Sequence, residues 1–255
     1  MDYIISASTN IGNTKQTNQD SLLIKKASTP IGKVVFAGLF DGMGGLSKGE
    51  VASAALVEAF SNWFYTKLPY LVNHQPEDYE IRNQWEEIIR EQAQKIQEYG
   101  SKSGTKMGTT AVLILITEKR YYIMNIGDSR AYEICDAVKQ LTEDQSLVAR
   151  EVREGILTPE QALTDPRRSV LLQCVGASPA VYPEMFFGET KKDTVYMLCS
   201  DGFVHEINNE ELYNGLNPKV CVNSEIIKSQ TEGLINLVMQ RQERDNISVA
   251  IVRTY

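Results

Sequence analysis

Five aspartates carry the chemistry this chain could do: Asp20, Asp41, Asp128, Asp201 and Asp245. They share one grammar. Asp20 opens an expected strand, Asp41, Asp128 and Asp201 close strands, and Asp245 stands just ahead of the last one. Glycine flanks three of them, in Asp41-Gly42, Gly127-Asp128 and Asp201-Gly202, and the missing Cβ lets a carbonyl or a ligand come close. If the strand ends share one rim, the carboxylates repel and raise one another's pKa, so they stay ionised only beside cations. An all-oxygen donor set without His or Cys suits Mg²⁺ or Mn²⁺. Two such ions roughly 3.5–4 Å apart would polarise a bridging water to hydroxide and clamp a phosphoryl group. A lone strand-end aspartate is more often a turn former or helix cap; the weight here comes from five in one chain.

The elements that must position these acids follow from hydrophobic patterning. Val34–Phe40 is an apolar, β-rich run that reads as a buried strand ending in Asp41-Gly42-Met43-Gly44-Gly45. Ser47-Lys48-Gly49-Glu50 then reads as a capping box opening a helix. Taken alone, this stretch fits a plain strand–turn–helix corner as well as a site for a cation or phosphate. Further strands are expected over 2–9, 19–24, 108–117, 121–126, 131–135, 169–175, 181–187, 193–200 and 247–252. Helices are expected over 48–67, with Leu56, Ala59, Phe60 and Trp63 inward, and over 77–99, with Ile81, Trp85, Ile88, Ile89, Ala93 and Ile96 inward. Residues 144–164 read as two short helices divided near Gly155, and 225–241 as a helix with Ile226, Ile227, Leu234, Ile235 and Val238 inward. Residues 68–76 read as a break and 100–106 as a loop. Strands and long helices are grouped rather than alternating, which favours an α+β fold with largely antiparallel sheets covered by helices. Without repeats or linkers, residues 1–255 are expected to form one domain.

Composition narrows the class. The net charge of −7 over 255 residues, with no Lys/Arg block, argues against a nucleic-acid partner. Cys135, Cys174, Cys199 and Cys221 show no C-x-x-C spacing and read as buried thiols in a reducing compartment. Two histidines, His74 and His205, argue against a His-rich zinc site. The start Met1-Asp2-Tyr3-Ile4-Ile5-Ser6 lacks signal-peptide character, and no apolar window reaches membrane-span length. A soluble, cytoplasmic protein is expected.

The motifs occur in a telling order: Asn18-Gln19-Asp20, Asp41-Gly42-Met43-Gly44-Gly45 with Gly49-Glu50, Met107-Gly108-Thr109-Thr110, Gly127-Asp128-Ser129-Arg130, Leu141-Thr142 before Asp144, Ser200-Asp201-Gly202 and Asp245-Asn246. Over about residues 12–252 the chain resembles the metal-dependent Ser/Thr protein phosphatases of the type 2C class, in their bacterial branch. The resemblance implies a four-layer α-β-β-α sandwich, two antiparallel sheets flanked by helices, with a metal cleft at one end. It implies that Asp41 bridges two metal ions, that Gly42 lends its carbonyl, and that Asp201 and Asp245 complete one ion. Asp20 would hold metal-bound water or ligate directly, Asp128 with Asp201 would match a third-metal site, and residues 144–175 would form a flap beside the cleft. Asp41, Asp201 and Asp245 would then be the catalytic acids, and a hydroxide bridging two Mn²⁺ or Mg²⁺ ions would attack phosphorus in line. Phosphorylated proteins would be the substrates, a Ser/Thr kinase the opposing partner, and the enzyme a monomer.

Departures from the family pattern matter. Lys15 stands where the family usually has an arginine that grips substrate phosphate; lysine is a point charge and cannot make a bidentate fork. Gln145 stands where the family commonly has histidine, and Met43, as in bacterial members, leaves no histidine there to act as a general acid. His205 is expected to play a surface or structural role, and Arg130 to pair with a local acid. Arg167 and Arg168 read by default as a solvated turn of the flap, with acidic or phosphorylated partner surfaces as the alternative. A competing reading is a catalytically weak module that binds phosphoproteins, for which Lys15 is the best support. A nucleotide hydrolase ranks third, since no G-x-x-x-x-G-K-[ST] loop is present.

Overall fold

The computed structural model describes residues 1–43 and 48–255. Its elements run β1 (Tyr3–Asn10), β2 (Asp20–Thr29), β3 (Gly32–Asp41), α1 (Gly49–Thr66), α2 (Leu68–Leu71), α3 (Asp78–Ser103), β4 (Ala111–Ile116), β5 (Arg120–Ile126), β6 (Arg130–Ile134), β7 (Val138–Gln140), α4 (Leu147–Arg153), α5 (Pro159–Thr164), β8 (Glu184–Glu189), β9 (Thr194–Cys199), α6 (Asp201–Val204), α7 (Asn209–Leu216), α8 (Ser224–Gln240) and β10 (Ile247–Thr254). Two five-stranded sheets form, in the orders β1-β10-β9-β6-β7 and β2-β3-β4-β5-β8. Every pairing is antiparallel.

Strand alternation builds the layers, because successive side chains point to opposite faces. In β3, Val35, Ala37 and Leu39 turn inward and meet Tyr196, Leu198, Ala250 and Val252 of the other sheet. Val34, Phe36 and Phe40 turn outward, under α1 and α3. There Phe36 packs against Trp63 and Trp85 at centroid distances of 5.2 and 5.7 Å. The other sheet turns Val195, Met197, Val249 and Ile251 outward under Ile227, Leu234, Ile235 and Val238 of α8. Three apolar layers between four layers of structure make the expected α-β-β-α sandwich.

Several expectations need correction. Residues 169–175 are not a strand: Leu171 and Val175 make single bridges to Ser146 and Thr109, and with loop residues as partners no ladder can extend. The strand expected over 181–187 starts at Glu184, since Pro183 has no N–H to give a ladder. Helix α3 continues through Gly100 to Ser103 and stops at Gly104, whose φ of 64° is the left-handed cap. The break after α1 contains the short α2, opened by Pro69 in its first turn. The capping-box serine, Ser47, with Gly44 and Gly45, lies outside the described residues. Helix α1 itself starts after Lys48, at φ 63° and without a side-chain cap, and Glu50 instead accepts from Gln19 Nε2 at 3.2 Å.

Candidate active site

Asp20 and Asp41 face each other as a paired position at one end of the β2–β3 hairpin. The backbone behind Asp41 is clamped by the Met107-Gly108-Thr109-Thr110 stretch. Thr110 N donates to Asp41 O at 2.9 Å and Met43 N to Gly108 O at 3.0 Å; Thr109 Oγ1 donates to Asp41 O at 3.0 Å. Thr110 Oγ1 accepts from Asp41 N at 3.1 Å and meets Ser129 Oγ at 2.8 Å, which ties in the turn carrying Asp128. Gly42 is a steric necessity: a Cβ there would lie 2.6 Å from Gln19 O and from the Gly49 backbone. The end of β3 and the start of α1 cross too closely for a side chain.

Asp201 opens α6 where β9 leaves the sheet, and Asp245 precedes β10. Asn246 stitches this side to the 11–19 loop: its Nδ2 donates to Ile11 O at 2.9 Å, and its Oδ1 accepts from Gln19 N at 2.9 Å. Lys15, on that loop, reaches Asp245 Oδ1 at 2.7 Å. The lysine expected to meet phosphate thus rests on one of the acids. Burial alone would lower its pKa, but Asp245, Asp41 and Asp201 outweigh that and raise it.

The acids sense one another strongly. Burial, then repulsion from Asp201 and Asp245, pushes Asp20 up to about 7. Burial, then Asp20, Asp201 and Asp245, raises Asp41 well above the carboxylate range. Burial followed by Asp201 and Asp144 does the same for Asp128. Burial also raises Asp201, and Asp245 adds to it. Both carboxylate oxygens of Asp20 and the Oδ1 of Asp201 are buried without a hydrogen-bond partner, which is costly for groups of this kind. Buried acids whose oxygens have no partner, as in Asp20 and Asp201, fit hard divalent cations by donor chemistry. Among the described residues, no three acidic, histidine or cysteine side chains close around a single point.

Supporting residues surround the acids. Arg130 grips Asp144 through Nε at 2.9 Å and Nη2 at 2.7 Å, the local pairing expected of it. Gln145 Oε1 accepts from Gly127 N at 2.9 Å, so it braces the Asp128 turn. Arg167 is held by Asp165 and Glu151, each at 2.8 Å. Arg168 donates to Leu163 O at 3.3 Å. A cleft of about 510 Å³ runs from Asp128, Asp201 and His205 to Val148, Val152 and Leu163 of the 144–175 segment. His205 is not a bystander: its Nδ1 lies 3.1 Å from Glu243 Oε2 and its Nε2 3.4 Å from Asp201 Oδ2. Burial would lower its pKa, but Glu243 and Asp201 raise it. Sequence reasoning passed over Glu243; the only local signal was an acid two positions before Asp245.

An acidic cleft at one end of an antiparallel sandwich suits a hydrolase that works through bound divalent cations. The chain belongs to the protein phosphatase 2C family, whose model matches residues 11–232. A serine/threonine phosphatase, stp, of Listeria innocua is 29% identical over 249 residues, covering 96% of this chain and 93% of its own length. The structure of a serine/threonine phosphatase of S. agalactiae superposes with a TM-score of 0.84 at 28% identity, covering both chains fully at 100%. The catalytic domain of the phosphatase PstP, solved in complex with two manganese ions, gives a TM-score of 0.77 at 25% identity over 99% of each chain.

Proposed function

We propose that residues 1–255 act as one catalytic unit that removes phosphate from phosphoserine and phosphothreonine in proteins, opposing a Ser/Thr kinase in the bacterial cytoplasm as a monomer. The observation that carries this reading is the set of buried carboxylate oxygens on Asp20 and Asp201 that have no partner in the protein, with Asp41 paired opposite Asp20 across the β2–β3 hairpin. In this reading Asp41, with the Gly42 carbonyl, Asp201 and Asp245 hold two Mn²⁺ or Mg²⁺ ions, Asp20 supports them, and Asp128 with Asp201 takes a third. Such ions, when bound, activate water and neutralise charge on the phosphoryl group. The protein's own groups do the rest. Lys15 is the ammonium placed to meet substrate phosphate once it leaves Asp245, and the Thr109–Thr110 clamp keeps Asp41 in place through its backbone. The four thiols are unpaired, three of them buried, in keeping with a reducing compartment.

The test is hydrolysis of a phosphothreonine peptide by the stripped protein, with Mn²⁺, Mg²⁺ or chelator added. Turnover restored by either ion and abolished by chelator is the expected result. Turnover that is indifferent to chelator would overturn the reading. The family match and the full set of acids speak against the weak-module alternative.

A further inference from the structure

Asp201 and Asp245 lie where the sheet no longer holds them. The β9–β10 ladder ends at the pair Cys199–Val249, and the last backbone contact beyond it is Ser200 N donating to Ser248 O at 3.0 Å. Past that point the two chains diverge, one into α6 and one back through the 243–246 turn. Something else must set the distance between the two carboxylates.

Glu243 sits in that gap with its side chain only 4% exposed. Its Oε1 accepts from Arg244 N at 2.6 Å and from Asp245 N at 2.9 Å. Its Oε2 faces His205 Nδ1 at 3.1 Å. The far side of the same ring faces Asp201 Oδ2 at 3.4 Å, while Asp201 Oδ1 has no partner. One oxygen of Asp201 therefore faces the His205 ring, and the other is buried without a partner. His205 lies one turn along α6 from Asp201, and its N–H donates to Asp201 O at 3.0 Å, so the ring and the aspartate move as one body. The packing is tight: a Cβ on Gly202 would lie 2.3 Å from Asn246 O. A carboxylate is a poor choice for filling space, since burying it is costly unless several donors meet it. Here every donor belongs to a segment that carries one of the two acids. These donors outweigh burial and hold Glu243 down at about 2.

We propose that Glu243 is a positioning residue: through the Asp245 N–H and the His205 ring it locks the carriers of Asp245 and Asp201 together, and so sets the affinity for the cation those two aspartates share. This rests on the reading of the acids as cation holders. Partners of this kind behind metal-holding side chains typically alter affinity by about 10–100-fold.

The experiment is calorimetric titration of Mn²⁺ into metal-stripped protein, with far-UV circular dichroism in chelator to check folding. Glu243→Met, which keeps length but loses every acceptor, is expected to weaken binding by roughly 10-fold or more. His205→Phe, which keeps the ring volume, is expected to weaken it by about 10-fold. The double variant is expected to match Glu243→Met, because the ring acts through the glutamate, whereas independent effects multiply. Glu243→Gln keeps an acceptor for the two N–H groups and can hold the neutral ring, so it is expected to stay within about 3-fold of the parent. Should Glu243→Met not fold, His205→Phe against Glu243→Gln carries the test. Parent-like affinity in His205→Phe, or losses that multiply in the double variant, overturn the proposal. Absence of Mn²⁺ binding by the parent protein overturns the metal reading and this proposal together, so the two failures are distinguishable.

Discussion

Replacing Asp20 by asparagine is expected to stabilise the metal-free protein at pH 8 while removing part of its response to cations. Asp20 is the acid whose two oxygens are both buried and unpartnered, and burial with repulsion from Asp201 and Asp245 brings it to about 7 from 3.8. A carboxyl whose native pKa lies above its unfolded value holds a proton in the native state that the unfolded chain has already lost. Stability therefore falls as pH rises between about 4 and 7. At about 1.4 kcal/mol for each tenfold change in proton affinity, the ionised form costs the native state on the order of 4 kcal/mol at pH 8. An asparagine amide in the same place escapes this but leaves its own polar atoms unpaired, at about 1–3 kcal/mol, so a net gain of roughly 1–3 kcal/mol is expected. The assay is urea unfolding in chelator, followed by the fluorescence of the buried Trp63 and Trp85, at pH 4.5 and pH 8. The gap between variant and parent should open only at the higher pH. Saturating Mn²⁺ should then restore the parent more than the variant. A variant less stable than the parent at pH 8, or a gap that ignores pH, refutes the argument that Asp20 is an acid strained by the want of a cation.

Other outcomes follow from the same geometry. Asp41→Asn should reduce cation-dependent hydrolysis of an aryl phosphate by at least ~100-fold; near-normal turnover would sink its proposed role. Lys15→Met frees Asp245 from a 2.7 Å ion pair; a partly exposed pair is worth about 0.5–1 kcal/mol, so calorimetry should show Mn²⁺ binding roughly two- to five-fold tighter with KM for a phosphopeptide raised. Lys15→Arg should instead lower KM if this position meets phosphate, because a guanidinium can form the fork an ammonium cannot. Gly42→Ala would force a Cβ to within 2.6 Å of the Gln19 and Gly49 backbones; an overpacking cost of about 1–3 kcal/mol should appear as a Tm lowered by several degrees in a chelator-treated melt.

The layers were legible because their causes are local. Alternation along Val34–Phe40 reports two buried faces, and the stripe through Leu56, Phe60 and Trp63 reports one covering helix, without knowledge of any partner. The five acids were legible by type and by their place at strand ends, since an aspartate beside glycine at the close of an apolar run is visible in the residues themselves. Errors arose where pairing partners decide the outcome. Residues 169–175 have the pattern of a strand, yet their neighbours are single loop residues, and no pattern encodes what lies alongside. Gly100 looks like a helix stop, but the stop falls four residues on at Gly104, whose left-handed φ ends α3. No helix of the described residues is long and apolar enough to cross a membrane, which hydropathy already implied.

What the sequence by itself determined is the inventory: an apolar content able to fill three layers, five oxygen-donor acids, and a lysine, Lys15, shortly ahead of the first of them. What only the tertiary structure decided is proximity. Asp20 meets Asp41 through strand register, Asp128 is tied to Asp41 through Thr110 and Ser129, and Asp245 receives Lys15 from the other end of the chain. Repulsion and burial grow steeply with closeness, so the raised pKa values of Asp20, Asp41, Asp128 and Asp201 exist only in the folded chain. The same holds for Glu243 and His205. Neither has a motif, and each acquires its place only because α6 and the 243–246 turn leave the sheet side by side.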